Sequence, residues 1–256
     1  MTDIILFLAG ILVGGINAIA GGGMLIGFPI LLATGIPPLM ASATTGVIVL
    51  PGNIAAAVGY RYYLRKVPRS YLLLIIPVII GAATGTILLR HTSHEAFAKY
   101  IPILILLAVI IFAFQPFLNK YVHGNVHGPA KVRRRVWPIV WTGLAIFPLA
   151  VYGGYFGAGF GFIMLSFFGF TSLREHLHRM NALKTVMTTC VAATALVVLV
   201  GSGLIDWQHG MVMAAGNLIG GYYGATATQK VSLPAIRIAI LVIGCVTTVY
   251  LGLRSY

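Results

Sequence analysis

Gly14-Gly15 recurs as Gly153-Gly154, an offset of 153 − 14 = 139 residues. The same offset pairs Gly22 with Gly161, Phe28 with Phe167, Ala43 with Ala182 and Ala56 with Ala195. It runs on without a gap to pair Gly81 with Gly220, Gly85 with Gly224 and Ser93 with Ser232. The chain is one unit written twice, and each copy opens on an apolar segment interrupted by glycine. The interruptions are Gly21-Gly22-Gly23 in the first copy and Gly157, Gly159 and Gly161 in the second. Two membrane halves with glycine-broken segments at corresponding places point to a transporter with a central site.

The medium follows from composition. Of 256 residues, 59% are hydrophobic and only 8% are charged, where a soluble domain carries about 25%. Apolar runs such as 71–89 and 101–114 recur along the chain, and a bilayer crossing needs about 20 such residues. The runs are continuous, unlike the alternating segments of a β-barrel. The expected fold class is an all-α integral membrane protein. Met1-Thr2-Asp3 carries no basic segment, and the apolar stretch behind it outruns a signal peptide and shows no cleavage site, so it is expected to be retained. Cys190 and Cys245 both sit in apolar helices and read as small buried hydrophobes. The net charge of +13 sits in short loops between spans. Topology and anionic lipid account for it, without nucleic acid as a partner.

Polar breaks fall near 34–40, 61–69, 90–99, 119–135, 171–184, 201–209 and 229–237. Residues 1–118 form a first membrane repeat, 119–135 a basic cytoplasmic linker and 136–256 a second repeat. The linker holds Lys120, Lys131, Arg133, Arg134 and Arg135. Its His123 and His127 stand at i, i+4 but lack a carboxylate and are flanked by glycine, so no metal site is expected.

A plain count of spans gives eight, four per repeat, with both repeats facing the same way. If each broken first segment instead enters and leaves on one side, three full crossings remain per repeat and the repeats are inverted. The positive-inside rule separates the two. Eight plain spans divide the Lys and Arg residues ten against seven; the inverted arrangement divides them fourteen against three. The inverted topology is therefore expected: two homologous repeats, each a re-entrant or discontinuous first helix followed by three transmembrane helices. The 61–69 and 119–135 loops lie in the cytoplasm and both termini outside, in the inner (plasma) membrane.

A helix broken at membrane depth frees backbone groups, which is tolerable only within protein or beside a water-filled cavity. The half-helix that follows points N–H groups and a positive partial charge at that cavity, which suits an anion. The first break offers Asn17, Gly21, Gly22, Gly23 and Met24; the second offers Gly157, Gly159 and Gly161. Neither is followed by the Gly-Lys-Ser/Thr of a nucleotide loop. The next helix of the second repeat places Asn181, Lys184, Thr185 and Thr188 on one face. The equivalent helix of the first repeat offers Ser42, Thr45 and Asn53. A cation inside a span is costly and marks function, although Lys184 stands close enough to a helix end to snorkel.

All four acids, Asp3, Glu95, Glu175 and Asp206, stand near loops or termini. A cation pump or carboxylate proton relay would place acids in the core. Hydroxyls, amides, backbone N–H groups and one lysine suit an anion instead. His91, His94, His176, His178 and His209 lie at interfaces and are the groups able to titrate near neutrality if a proton is coupled. No nucleophile with a base, paired Asp or zinc motif suggests an enzyme. No cofactor is expected, and the oligomeric state is not legible.

The chain resembles the TauE/SafE family of sulfite-exporter permeases. The resemblance is carried by Gly14-Gly15, Ala20-Gly21-Gly22-Gly23-Met24, Phe28-Pro29 and 41–45, then by Gly153-Gly154, 157–161, 179–184 and Gly203-Leu204-Ile205-Asp206-Trp207. It extends over nearly the whole chain in the family's order. The second glycine motif departs from the family, with Gly-Ala-Gly-Phe-Gly in place of three contiguous glycines. The resemblance implies movement of small sulfur-containing anions, such as sulfite or organosulfonates, without ATP. The expected function is a secondary transporter alternating its access to a midplane anion site. A passive anion channel and a non-transporting membrane scaffold are the alternatives.

Overall fold

The computed structural model describes residues 2–123, 139–169 and 177–227, with 238, 241–242 and 244–249 of the last helix. The linker's His127, Lys131, Arg133, Arg134 and Arg135 lie outside the described residues, as do Arg174, Glu175, His176, Lys230, Ser232, Arg237 and Arg254. Among the described residues every regular element is helical, and four helices are long and apolar enough to cross a membrane.

In the first half α1 (Thr2–Ile19) ends at the glycine break and α2 (Met24–Ala33) follows it. α2 turns back along α1, because Gly23 packs on Val13 and Asn17 and Gly27 packs on Val13 again. α3 (Pro38–Gly59) starts on Pro38, whose fixed φ suits a first helical turn. A short α4 (Arg61–Leu64) and a 3-10 turn (Arg69–Leu74) lead into α5 (Ile75–His91). α6 (His94–His123) continues through 119–123, which the sequence assigned to the linker.

The second half repeats the order: α7 (Ile139–Tyr155), a break, α8 (Phe160–Gly169), α9 (Leu177–Leu199) and α10 (Trp207–Ala227).

The repeat is not gapless. The amides of Gly21 and Gly157 each reach back five residues, to the carbonyls of Ile16 and Tyr152. Both glycines have positive φ, +91° and +74°, the left-handed turn that ends a helix. Gly27 and Ile163 bond to the carbonyls of Gly23 and Gly159 in the same way. The structural offset at the breaks is thus 159 − 23 = 136 residues. It becomes 139 by the later helices, because Gly81 sits on Phe147 as Gly220 sits on Ile11, and Gly85 on Val151 as Gly224 on Gly15 (147 − 11 = 136, while 220 − 81 = 139). The second copy therefore holds three more residues than the first between its break and α10. The pairing of Gly14-Gly15 with Gly153-Gly154 is a likeness of letters and not of position.

Small residues set the packing, as is usual where lipid supplies no hydrophobic drive between helices. α1 runs parallel to α10: Gly10 sits on Met213, and Gly14 sits on Asn217 and Gly221. α10 runs parallel to α3, with Gly210 on Thr44 and Ile48, Gly52 on Asn217 and Gly59 on Ala225. α5 and α7 are parallel to each other, with Gly81 on Phe147 and Gly85 on Val151 and Tyr155. α3 and α9 pack in opposite directions. Ile54 and Ala57 share a groove with Val186 and Cys190, Ile48 and Pro51 share one with Leu196, and Tyr63 just beyond α3 stacks on His178 at the start of α9.

The charges separate accordingly. Arg61, Arg65, Lys66, Arg69 and Arg179 gather at one end of the bundle, called here the basic end. Asp3, Arg90, Glu95, Lys99 and Asp206 lie at the other.

Candidate anion site at the two helix breaks

The breaks meet in the middle of the bundle. A Cβ on Gly161 would stand 2.6 Å from Cα and from the carbonyl oxygen of Gly21. Only glycine at both positions permits that approach. Inside the second break, the Tyr152 hydroxyl donates to the carbonyl of Ala158 at 2.6 Å, so one backbone acceptor freed there is satisfied.

A narrow cavity of about 40 Å³ lies against this junction. A water needs roughly 10–15 Å³ measured this way, so two or three waters or an ion the size of sulfite fit. Asn17, Gly21 and Met24 line it from the first break, and Gly157, Phe160 and Gly161 from the second. α3 contributes Ser42, Gly46 and Asn53, and α9 contributes Thr188 and Ala192. No Lys, Arg, Asp or Glu is among the lining residues.

Two donors in this wall have no partner. Asn53 is 3% exposed, and its Oδ1 accepts from Asn17 Nδ2 at 2.7 Å. That bond turns Asn53 Nδ2 away with nothing to donate to, and Ser42 Oγ, about three turns earlier on α3, is equally without a partner. Buried polar groups are otherwise almost always satisfied, and one left alone costs about 1–3 kcal/mol. Helices α2 and α8 both begin at the junction, adding the positive ends of their dipoles.

Apart from Thr188, the other expected site residues lie behind this wall. Gly22 is pressed on the ring of Phe162, Gly23 on Val13, and Gly159, at φ +78°, faces Ala108 of α6. These glycines shape the breaks and do not face the cavity. Thr45 and Thr185 spend their hydroxyls on the carbonyls of Ala41 and Asn181 in their own helices. Thr188 lines the cavity, but its hydroxyl donates to Thr185 O at 3.0 Å. Asn181 is buried outside the cavity wall.

Lys184 departs most from the sequence expectation. It is 1% exposed, neither snorkelling nor facing the cavity. Its Nζ donates to the carbonyls of Asn17 at 3.1 Å and Ala18 at 3.0 Å, the last turn of α1. The ammonium caps the negative end of a broken helix. The Tyr60 hydroxyl donates to the same Ala18 carbonyl at 3.3 Å. At the position equivalent to Ala18 in α7, Gly154, the carbonyl accepts from Thr86 at 3.0 Å.

Sequence reasoning missed Gly46, Tyr60, Thr86, Tyr152 and Phe160. Gly46 carried a signal, since it sits one turn after Ser42 and two turns before Asn53 on one face of their helix. Tyr60 and Thr86 carried none, because their partners are distant in sequence.

Residues 6–251 match the family described as sulfite exporter TauE/SafE. The chain belongs to the TauE/SafE family. It is 35% identical over 250 residues to a "Probable membrane transporter protein" of Haemophilus influenzae, an alignment covering 95% of this chain and 92% of the relative. It is 26% identical to the "Probable membrane transporter protein YfcA" of Escherichia coli K12, covering 98% and 90%. A Sinorhizobium relative, "Probable membrane transporter protein ORF9", is 26% identical over 93% and 87%. No solved structure matches the chain. The protein is a multi-pass membrane transporter of the TauE/SafE family and not an enzyme.

Proposed function

We propose that this transporter carries small sulfur-containing anions, such as sulfite or an organosulfonate, through the cavity at the two breaks. The observation that carries the reading is the pair of unpartnered donors, Ser42 Oγ and Asn53 Nδ2, beside two helix N-termini in an acid-free wall. An anion at the junction would accept from Asn53 Nδ2, and Ser42 Oγ, about three turns earlier on α3, offers a second donor along the same wall. Asn17 orients Asn53; Gly21, Met24, Gly157, Gly161 and Thr188 shape the pocket. Gly22, Gly23 and Gly159 set the breaks, while Thr45, Asn181, Lys184 and Thr185 hold the wall from behind.

The repeats span the membrane in inverted topology and alternate access to the site. The opposed directions of α3 and α9 support this, as does the separation of charge between the two ends of the bundle. By the positive-inside rule the basic end faces the cytoplasm and both termini lie outside, in the inner membrane.

The test is uptake of radiolabelled sulfite into liposomes holding the purified protein, with taurine, sulfate and acetate as competitors. Saturable uptake, competed by sulfonates and lost in Asn53→Leu, is expected. Flux that does not saturate and ignores an opposing proton gradient would make the protein a channel. No flux with folded protein would make it a scaffold.

A further inference from the structure

α3 and α9 enclose space on two sides. Asn53 and Thr188 line the cavity on the inner side. Their neighbours in sequence, Ile54 and Thr189, turn the other way and line an open groove of about 550 Å³. Ala57 and Val58 of α3 and Val186 and Cys190 of α9 complete its walls. Ile54 is 50% exposed and Val58 48%, so this groove faces the surroundings of the bundle. The Thr189 hydroxyl is spent on Thr185 O at 2.7 Å and adds no free donor.

Arg61 ends the groove at the basic end. α3 has 22 residues. At about 1.5 Å per residue it spans a hydrocarbon core of about 30 Å. Arg61, two residues past its end, therefore stands at headgroup depth. Neither its guanidinium nor those of Arg65 and Arg179 has a hydrogen-bond or ion-pair partner among the described residues.

The repeat builds a second groove without the cation. The offset of 139 carries Val186, Thr189 and Cys190 onto Val47, Leu50 and Pro51, and Ala57 onto Leu196. Those four residues line a groove of about 150 Å³ at the other end of the bundle. Trp207 and Met211 of α10 narrow it, and the counterpart of Arg61 is Val200 (200 − 61 = 139).

We propose that the wider groove binds an anionic phospholipid in the leaflet at the basic end. One acyl chain lies along Ile54, Val58 and Val186, and the phosphate meets Arg61. Basic pockets between membrane helices suit such headgroups. A zwitterionic headgroup would bring its own cation among Arg61, Arg65, Lys66, Arg69 and Arg179, at an end with no acid among the described residues. The site is distinct from the anion cavity and stands whether or not sulfite is carried.

The test introduces Val58→Trp or, as its counterpart by the repeat, Val197→Trp, which is 76% exposed at the other end. Each protein is reconstituted in phosphatidylcholine with a rising share of phosphatidylglycerol brominated in its tails. Bromine quenches tryptophan on contact, and the signal of the parent's three tryptophans is subtracted. At position 58 phosphatidylglycerol should be preferred about fivefold over phosphatidylcholine, the worth of one arginine near an anionic headgroup. At position 197 no preference is expected. Arg61→Gln should abolish the preference at position 58, and Arg61→Lys should keep it. Equal preference at both positions, or one untouched by Arg61→Gln, would reduce the effect to general surface charge and overturn the proposal. So would a tryptophan at position 58 that no brominated lipid quenches, since protein would then fill the groove.

Discussion

Gly21 and Gly161 touch backbone to backbone, so that neither can carry a side chain without displacing the other. A Cβ on Gly21 would stand 2.7 Å from the carbonyl carbon of Gly161. Their counterparts in the repeat do not meet in this way, and the contact binds the first break to the second where the anion is expected.

Substitution at this junction should therefore act on the fold first. Gly161→Ala is expected to cost about 1–3 kcal/mol through overpacking against rigid backbone. Gly46→Ala is the contrast: its Cβ would meet nothing within 4 Å, and the residue lies inside a helix and on the cavity. It should be neutral or stabilising by up to about 1 kcal/mol while narrowing the anion site. Thermal unfolding in detergent, read beside sulfite uptake, checks both. Equal midpoints for the two variants would refute the account.

The unpartnered donors predict opposite changes in stability and binding. Ser42→Ala removes a buried hydroxyl that bonds to nothing, so stability should hold or rise. Anion affinity should fall roughly tenfold, the worth of one hydrogen bond to a charged group. Asn53→Asp should fall further, because it sets a carboxylate where the anion arrives. Titration calorimetry of purified variants with sulfite reads each loss.

Lys184 should matter for stability as well as transport. Lys184→Met leaves the carbonyls of Asn17 and Ala18 without their ammonium, at an expected cost of about 1–3 kcal/mol. Lys184→Arg should recover part of the stability, because the charge remains while its geometry changes. Unchanged thermal midpoints in the Met variant would show that the cap contributes nothing.

Asp206 ties the far end of the bundle to acidity. Its carboxylate accepts from the amide of His209 at 3.1 Å and pairs with the His209 ring at 2.8 Å, capping α10. Its own amide donates to Thr44 Oγ1 at 2.9 Å, joining the cap to α3. Partial burial works against the charge, but the bonds from His209 and the charge of its ring outweigh it and hold the carboxyl below its ordinary value. A lowered folded pKa contributes stability that is present above the unfolded carboxylate value and is lost as pH falls through the folded one. Thermal midpoints should drop on acidification below about pH 4, and the part due to this residue should vanish in Asp206→Asn. An identical acid limb in that variant would remove Asp206 from the account.

The sequence by itself determined the membrane class and the family, and it marked the duplication and the polar residues from which the candidate site is drawn. Glycine breaks, apolar runs and missing core acids are properties of composition and spacing, and they survive any arrangement of the helices. Tertiary structure decided which of the marked residues face the cavity. Lys184 and Asn53 carry the same sequence signal, a polar group in an apolar helix, yet one spends its donors on the end of α1 and the other is left free. That depends on the carbonyls of Asn17 and Ala18, 167 and 166 residues away from Lys184 in the chain. The repeat register was likewise misread, because the small glycines that mark it occur both at helix contacts and at breaks, and only backbone bonding tells the two apart.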